Sequence, residues 1–247
     1  MPGSALVWAA EAVRAASLNL CTDEYLLLLG EQRQIVSVSH LARDPRETGL
    51  ASRAAVHPGN DGSLGGVIAR RPKLVLDMGG RASGALAQRL GVRLLDLPFP
   101  SSPDEVIAQA RQIARALGRP AAAEPYAAAL RHLRAAPVPF REGAFLGAGG
   151  LSLAPDGLSA RWLGLAGYRQ PALPGNRLTL ERLATDAPDW LIRSDYRATQ
   201  NSRAAAWLNH PLVARLQART IRTDGRPWTC GGLPMLAEIA RLRAGRQ

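Results

Sequence analysis

Ala121–Pro137, AAAEPYAAALRHLRAAP, lies near the middle of the chain and decides how the rest is arranged. Alanine and leucine dominate it, and Tyr126, Leu130 and Leu133 recur at four- and three-residue spacing, which gives one apolar helical face. Pro125 stands early, where a helix tolerates a missing N–H, and Pro137 and Pro139 end it. About 16 residues at 1.5 Å each make a rod of roughly 24 Å, long enough to leave one lobe and enter another. Outward from it, in both directions, strands alternate with helices. The expectation is an α/β protein of two lobes, each with a mainly parallel sheet flanked by helices. This one spine helix joins them, with a ligand cleft beside it.

Toward the N-terminus, Val13–Leu18 (VRAASL) reads as a strand running into Asn19-Leu20-Cys21-Thr22-Asp23. Thr22 or Asp23 fits a helix cap, Glu24–Leu29 forms the helix, and Gly30 closes it. Ile35–Ser39 is a short β-branched strand that delivers the loop His40–Gly49, and the polar stretch His57–Gly66 reads as a mobile loop. Leu74–Leu76 is an apolar strand before Asp77-Met78-Gly79-Gly80; Ala82–Leu90 is a helix and Val92–Leu97 a strand. Alternation without hairpin turns predicts a parallel sheet with right-handed crossovers. Ser102-Pro103-Asp104-Glu105 starts a helix with a serine cap, an early proline and acids in the first turn.

Toward the C-terminus the pattern begins again. Gly143–Ala148 is a strand, Gly149-Gly150 opens a loop, and Leu158–Ala166 and Thr179–Ala184 are helices. Asp189–Ser194 is a strand ending at Asp195-Tyr196, Arg203–Leu208 is helical, Val213–Thr223 carries a strand, and Met235–Arg243 is a last amphipathic helix. Ligands of open α/β sheets meet the loops at the carboxyl ends of strands. Five loops qualify: Asn19–Asp23, His40–Arg46, Met78–Arg81, Gly149–Ser152 and Asp195–Thr199.

Composition narrows the function. The net charge of +11 is almost all arginine, since Lys73 is the only lysine, and the arginines are scattered with no basic block or aromatic interleaving. That distribution speaks against a nucleic-acid partner. There is no GxSxG, HExxH or P-loop, and Gly147-Ala148-Gly149-Gly150 lacks the rest of a dinucleotide fingerprint. Of four histidines only His40 falls on a cleft loop, too few nitrogen or oxygen ligands for a dedicated metal site. The sharpest enzyme hypothesis is Cys21, beside a helix N-terminus that would stabilise a thiolate. The start, MPGSALVWAAEAVR, lacks the basic region and full apolar run of a signal peptide, although Ala5–Ala10 before Glu11 fits the tail of one. Either a signal peptide is missing or trimmed, or the protein stays inside.

Several segments in order resemble the periplasmic substrate-binding proteins of iron–siderophore, haem and cobalamin ABC importers. Arg14–Gly30 (RAASLNLCTDEYLLLLG) is similar to the family's first strand, loop and helix, and Arg71–Leu76 (RPKLVL) to its strand before the second ligand loop. Leu163–Gly167 with Leu178–Leu183, running into Ala187–Ile192, resembles its C-lobe signature, and Trp228–Gly232 (WTCGG) its return toward the first lobe. The likeness spans roughly residues 13–244. It implies an N-terminal lobe over 13–120, the spine over 121–137, a C-terminal lobe over 138–226 and a returning segment over 227–247.

The resemblance implies a periplasmic, monomeric, non-catalytic binder of a bulky ligand, without a cofactor, that delivers its cargo to an ABC importer. Family members present an acid from each lobe to the permease, whereas the matching stretches Arg81–Leu90 and Ala198–Leu208 contain no Asp or Glu. A binder of the same fold without an importer partner is therefore an alternative, as is the Cys21 enzyme. The ligand-binding candidates are Asn19, Cys21, Arg43, Met78, Arg81, Gly150, Tyr196, Arg197 and Trp228. Arginine forks beside aromatic faces suit a flat anionic chelate, corrin or porphyrin. Tyr196 through its phenolate fits an axial haem ligand, or is simply a wall. Trp228 equally fits a core residue under the last helix, and Arg81 and Arg197 a solvated surface. Return of the last segment would bring Cys230 to Cys21, for a disulfide in an oxidising compartment or as two separate small hydrophobes.

Overall fold

The computed structural model of the chain describes residues 12–197, 200, 202–216 and 219–245. Residues 198–199 of the fifth cleft loop, and Ala5–Ala10, lie outside these. The first half runs β1 (Ala15–Ser17), α1 (Leu20–Leu29), β2 (Ile35–Ser39), α2 (Ala51–Ala54), β3 (Gly59–Asn60), α3 (Leu64–Ile68), β4 (Leu74–Met78), α4 (Gly84–Arg89), β5 (Arg93–Leu97) and α5 (Pro103–Ala116). A 3-10 turn at Pro120–Ala123 leads into α6 (Glu124–Ala135), the spine. Then come β6 (Arg141–Leu146), α7 (Leu158–Leu165), β7 (Tyr168–Arg169), α8 (Leu180–Thr185), β8 (Trp190–Ser194), α9 (Arg203–Leu208), α10 (Pro211–Arg215), β9 (Thr220–Thr223), α11 (Arg226–Cys230) and α12 (Met235–Ala244).

Two parallel sheets result, ordered β3-β2-β1-β4-β5 and β7-β6-β8-β9. The alternation of side chains across each strand sorts the apolar residues into three clusters. Ala15, Leu74 and Leu76 face a large inner core, while Ala16 and Val75 face an outer one under α3 and α4. In the second sheet, Phe145 and Ile192 join the inner core and Ala144, Leu146 and Leu191 the outer one. The inner core is continuous from the first sheet, through Leu130 and Leu133 of the spine, to Trp162, Tyr168 and α12.

Where the elements differ from the sequence reading, local chemistry explains it. Asn19, rather than Thr22 or Asp23, caps α1: its Oδ1 accepts from the Thr22 N–H at 3.1 Å. The stretch His57–Gly66 is structured, not a mobile loop. It holds β3 and the start of α3, which Ser63 caps through the Gly66 N–H. Asn60 fixes it by donating to the Ser17 carbonyl at 2.9 Å and to Ser37 Oγ at 3.0 Å. Val213–Thr223 divides into α10 and β9. In the last segment Cys230 bonds Cys21 of the first lobe, whereas α12 packs against α6, α7 and β9.

Candidate functional site

The carboxyl ends of both sheets carry the loops where a ligand would sit, and buried hydrogen bonds fix them. Asn19 is used twice: besides capping α1 it donates from Nδ2 to Asp77 Oδ1 at 2.8 Å. Asp77, itself buried, accepts from the Ala82 N–H at 2.7 Å through its other oxygen. Asp23 accepts from the Ser39 N–H at 2.9 Å and from the Ser39 hydroxyl. The ends of β1, β2 and β4 are thereby tied into one plate. Asn19 works as a bracket within that plate, and Met78 is buried in the inner core rather than lining an open wall.

Between the lobes one contact stands out. Glu47, buried in the loop after β2, accepts from the Tyr196 hydroxyl at 2.7 Å and is ion-paired to Arg197. Arg226 adds a second link, donating to the Pro45 carbonyl at 2.9 Å while it grips Asp224. A charged hollow of about 520 Å³ opens at this edge. Its arginines are all committed: Arg46 to Asp44, Arg197 to Glu47, Arg222 to Asp195, Arg226 to Asp224 and Arg241 to Glu238. Arg197 is therefore not a bare cation awaiting an anionic ligand. Burial, then the bond to Glu47, raise the Tyr196 phenol above its ordinary range, which disfavours the phenolate an axial ligand needs.

The other candidates separate. Trp228 is only 8% exposed; its ring lies 4.9 Å from that of Phe145, and Nε1 donates to Thr223 Oγ1 at 2.8 Å. It is a core wedge, not an open stacking platform. Arg43 lies against Gly59 of β3. Gly150, at φ +76°, is packed so tightly that a Cβ would meet the Leu178 carbonyl at 2.5 Å and the Trp207 ring at 3.1 Å. That turn is closed under α9 and is no cradle for a ligand. Arg81 stands exposed on the loop after β4. Cys21 is bonded to Cys230, with Cα atoms 5.2 Å apart, so the nucleophilic thiolate of the enzyme hypothesis does not exist here. Among the described residues no group of three or more His, Cys, Asp or Glu is placed to hold a metal ion.

Three residues at these edges escaped the sequence reading. Glu47 is one. The others are Phe99, 71% exposed after β5 with its ring against Gly79, and Leu151, 51% exposed after β6. Phe99 carried a signal, an aromatic held between two prolines just past a strand. Phe99 and Leu151, like Arg81, are exposed just past the carboxyl ends of strands.

The sequence matches no protein-family model, and no curated protein is similar to it. Solved structures are similar in fold. The periplasmic heme-binding protein HutB of Vibrio cholerae superposes with a TM-score of 0.72 at 18% identity, over 95% of this chain and 98% of that one. The apo form of the periplasmic heme-binding protein RhuT from Roseiflexus sp. RS-1 gives 0.70 at 21% identity, over 96% and 100%. The fold is that of the periplasmic heme-binding proteins. The periplasmic vitamin B12 binding protein BtuF of Vibrio cholerae shares it too, with a TM-score of 0.64 at 15% identity over 94% and 96%. Both chains are covered almost end to end in each case. No described helix is long and apolar enough to cross a membrane.

Proposed function

We propose that the protein captures a bulky ligand of the ferric siderophore, cobalamin or haem class between its two lobes and hands it on, as a periplasmic monomer, to an ABC importer. The observation that carries this reading is the shared arrangement of two parallel sheets about one helix, matched over nearly the whole of both chains. The ligand would rest on the strand-end plate of the first lobe, with Phe99 and Leu151 supplying apolar walls and Arg81 a cation. Its grip would be apolar contact and charge rather than coordination by Tyr196.

A variant of this reading, capture without an importer, is favoured by one observation. Neither α4 (GALAQR) nor α9 (RAAAWL) carries an acid to offer a permease. The test is a binding screen of the purified chain against haem, cobalamin and ferric hydroxamates, read by the visible spectrum of the ligand and by tryptophan fluorescence. Binding by one class in preference to unrelated hydrophobic compounds supports capture. If none binds more tightly than about millimolar, a free energy near −4 kcal/mol, the proposal fails. Pull-down of a permease by the loaded protein separates delivery to an importer from capture alone.

A further inference from the structure

On the flank of the molecule an apolar hollow of about 660 Å³ lies between α1, the spine α6 and α12. Leu28, Leu50, Tyr126, Leu133, Leu236 and Ala240 contribute apolar side chains to its wall. Asp224, just past β9, lines both this hollow and the charged one at the lobe edge, so the two adjoin, and no other lining residue is shared. Its size and apolar lining are those of small-molecule pockets, which add a few polar groups to fix orientation. Here the polar side chains are the Glu24 and Asp224 carboxyls, the Tyr126 phenol and His132; no lysine or arginine lines it, in a chain of net charge +11.

One of those carboxyls is unsatisfied. Glu24 lines the hollow and is 2% exposed, and its Oε2 has no hydrogen-bond partner among the described residues. The other oxygen receives only a long bond, 3.4 Å, from the Thr48 hydroxyl. Oε2 lies against Gly232, where a Cβ would stand 3.4 Å away. Asp224, the second carboxyl, is already gripped by Arg226 at 2.6 Å. A buried polar atom without a partner is rare and costly unless a ligand supplies the missing donor.

We propose that this hollow binds a small apolar molecule bearing one protonated amine, with the ammonium against Glu24 and the apolar body along α6 and α12. Burial pushes the Glu24 carboxyl up to about 8, so without a counter-charge it is held largely neutral at pH 7. An ammonium supplies that counter-charge where every other lining group is neutral, acidic or, in His132, at the exposed margin.

The test uses the full chain and three probes of one shape: 9-(methylaminomethyl)anthracene, 9-anthracenemethanol and 9-anthracenecarboxylate, followed by anthracene anisotropy. The amine should bind at least tenfold more tightly than the alcohol, and the carboxylate most weakly. Glu24→Gln should bring the amine down to the level of the alcohol. Ala129→Trp, on the exposed side of the spine at this hollow, should weaken both by tenfold or more without lowering the melting temperature; it decides the matter should the Glu24 variant not fold. Equal binding of the three probes, an amine preference that survives Glu24→Gln, or indifference to Ala129→Trp would overturn the proposal. So would self-association in sedimentation that Ala129→Trp abolishes, since a second copy would then be the occupant.

Discussion

Asp23 and Glu24 are adjacent acids on the buried side of α1, and neither has an ion-pair partner among the described residues. Burial outweighs the Ser39 and Thr48 hydrogen bonds and raises their folded-state values to about 7 and about 8, from 3.8 and 4.5. Between roughly pH 4 and pH 8 the folded chain therefore binds more protons than the unfolded chain, and stability falls as pH rises through that window. Each factor of ten in proton affinity is about 1.4 kcal/mol, so the loss is on the order of a few kcal/mol. Carboxylates lowered by arginine, such as Asp104 and Glu124, act in the opposite sense, but only below their ordinary values near pH 4. The urea midpoint should be lower at pH 8 than at pH 5, and Asp23→Asn should flatten the slope; a midpoint that rises over this range contradicts the assignment. Glu47 makes a different prediction. Tyr196→Phe removes one hydrogen bond to a buried carboxylate that keeps Arg197, for a cost of about 1–2 kcal/mol. Glu47→Ala also unties Arg197, which is exposed and re-solvates, so chemical denaturation should show it little less stable than Tyr196→Phe.

At the scale of elements, the disulfide staples the first turn of α1 to the last turn of α11 across a separation of 209 residues. In the chain-entropy picture a loop of that length is worth roughly 5 kcal/mol. Intact mass after alkylation without reductant should show no free thiol in material from an oxidising compartment. Cys21→Ser with Cys230→Ser should lower the unfolding free energy by several kcal/mol, and two free thiols in periplasm-derived protein would count against the bond. The elements themselves were legible in the sequence wherever local signals agreed. Ser102-Pro103-Asp104-Glu105 starts α5 as read, and IVSVS is β2 to the residue. They were illegible where only tertiary packing decides. The cap of α1 reads as Thr22 or Asp23 in sequence, and nothing local shows that Asp77, 58 positions on, holds the Asn19 amide so that Asn19 takes the cap instead. Two glycines hide α3, and Asn60 holds its approach by bonds to β1 and β2 that no local pattern announces. The cleft was harder still. Glu47 sits in the charged run RDPRE, and its partners lie 149 and 150 positions away. Trp228 fits a ligand wall and a core residue equally well in sequence, because nothing local shows that Phe145 and Thr223 enclose it.

For the whole molecule, the question is how far the lobes move. A single helix resists bending because its backbone hydrogen bonds would have to break. The inner core adds a second restraint: it passes without interruption from Leu76 and Ile113 in the first lobe, through Leu130 and Leu133, to Trp162 and Ile239. Opening the lobes widely would expose part of that surface, at about 25 cal/mol for each Å² of apolar area. The disulfide, packed against that core, and the Glu47 contact with Tyr196 and Arg197 add further ties between the two ends of the chain. Capture should accordingly proceed with little closure. Small-angle scattering, with and without whichever of haem, cobalamin or ferric hydroxamate binds, should change a radius of gyration of about 18 Å by only a few per cent. Glu47→Ala should leave that value nearly unchanged, because the spine and the core still act. A compaction of about a tenth on ligand binding, or an equal expansion in Glu47→Ala, would mean that one carboxylate rather than the spine and core sets the distance between the lobes.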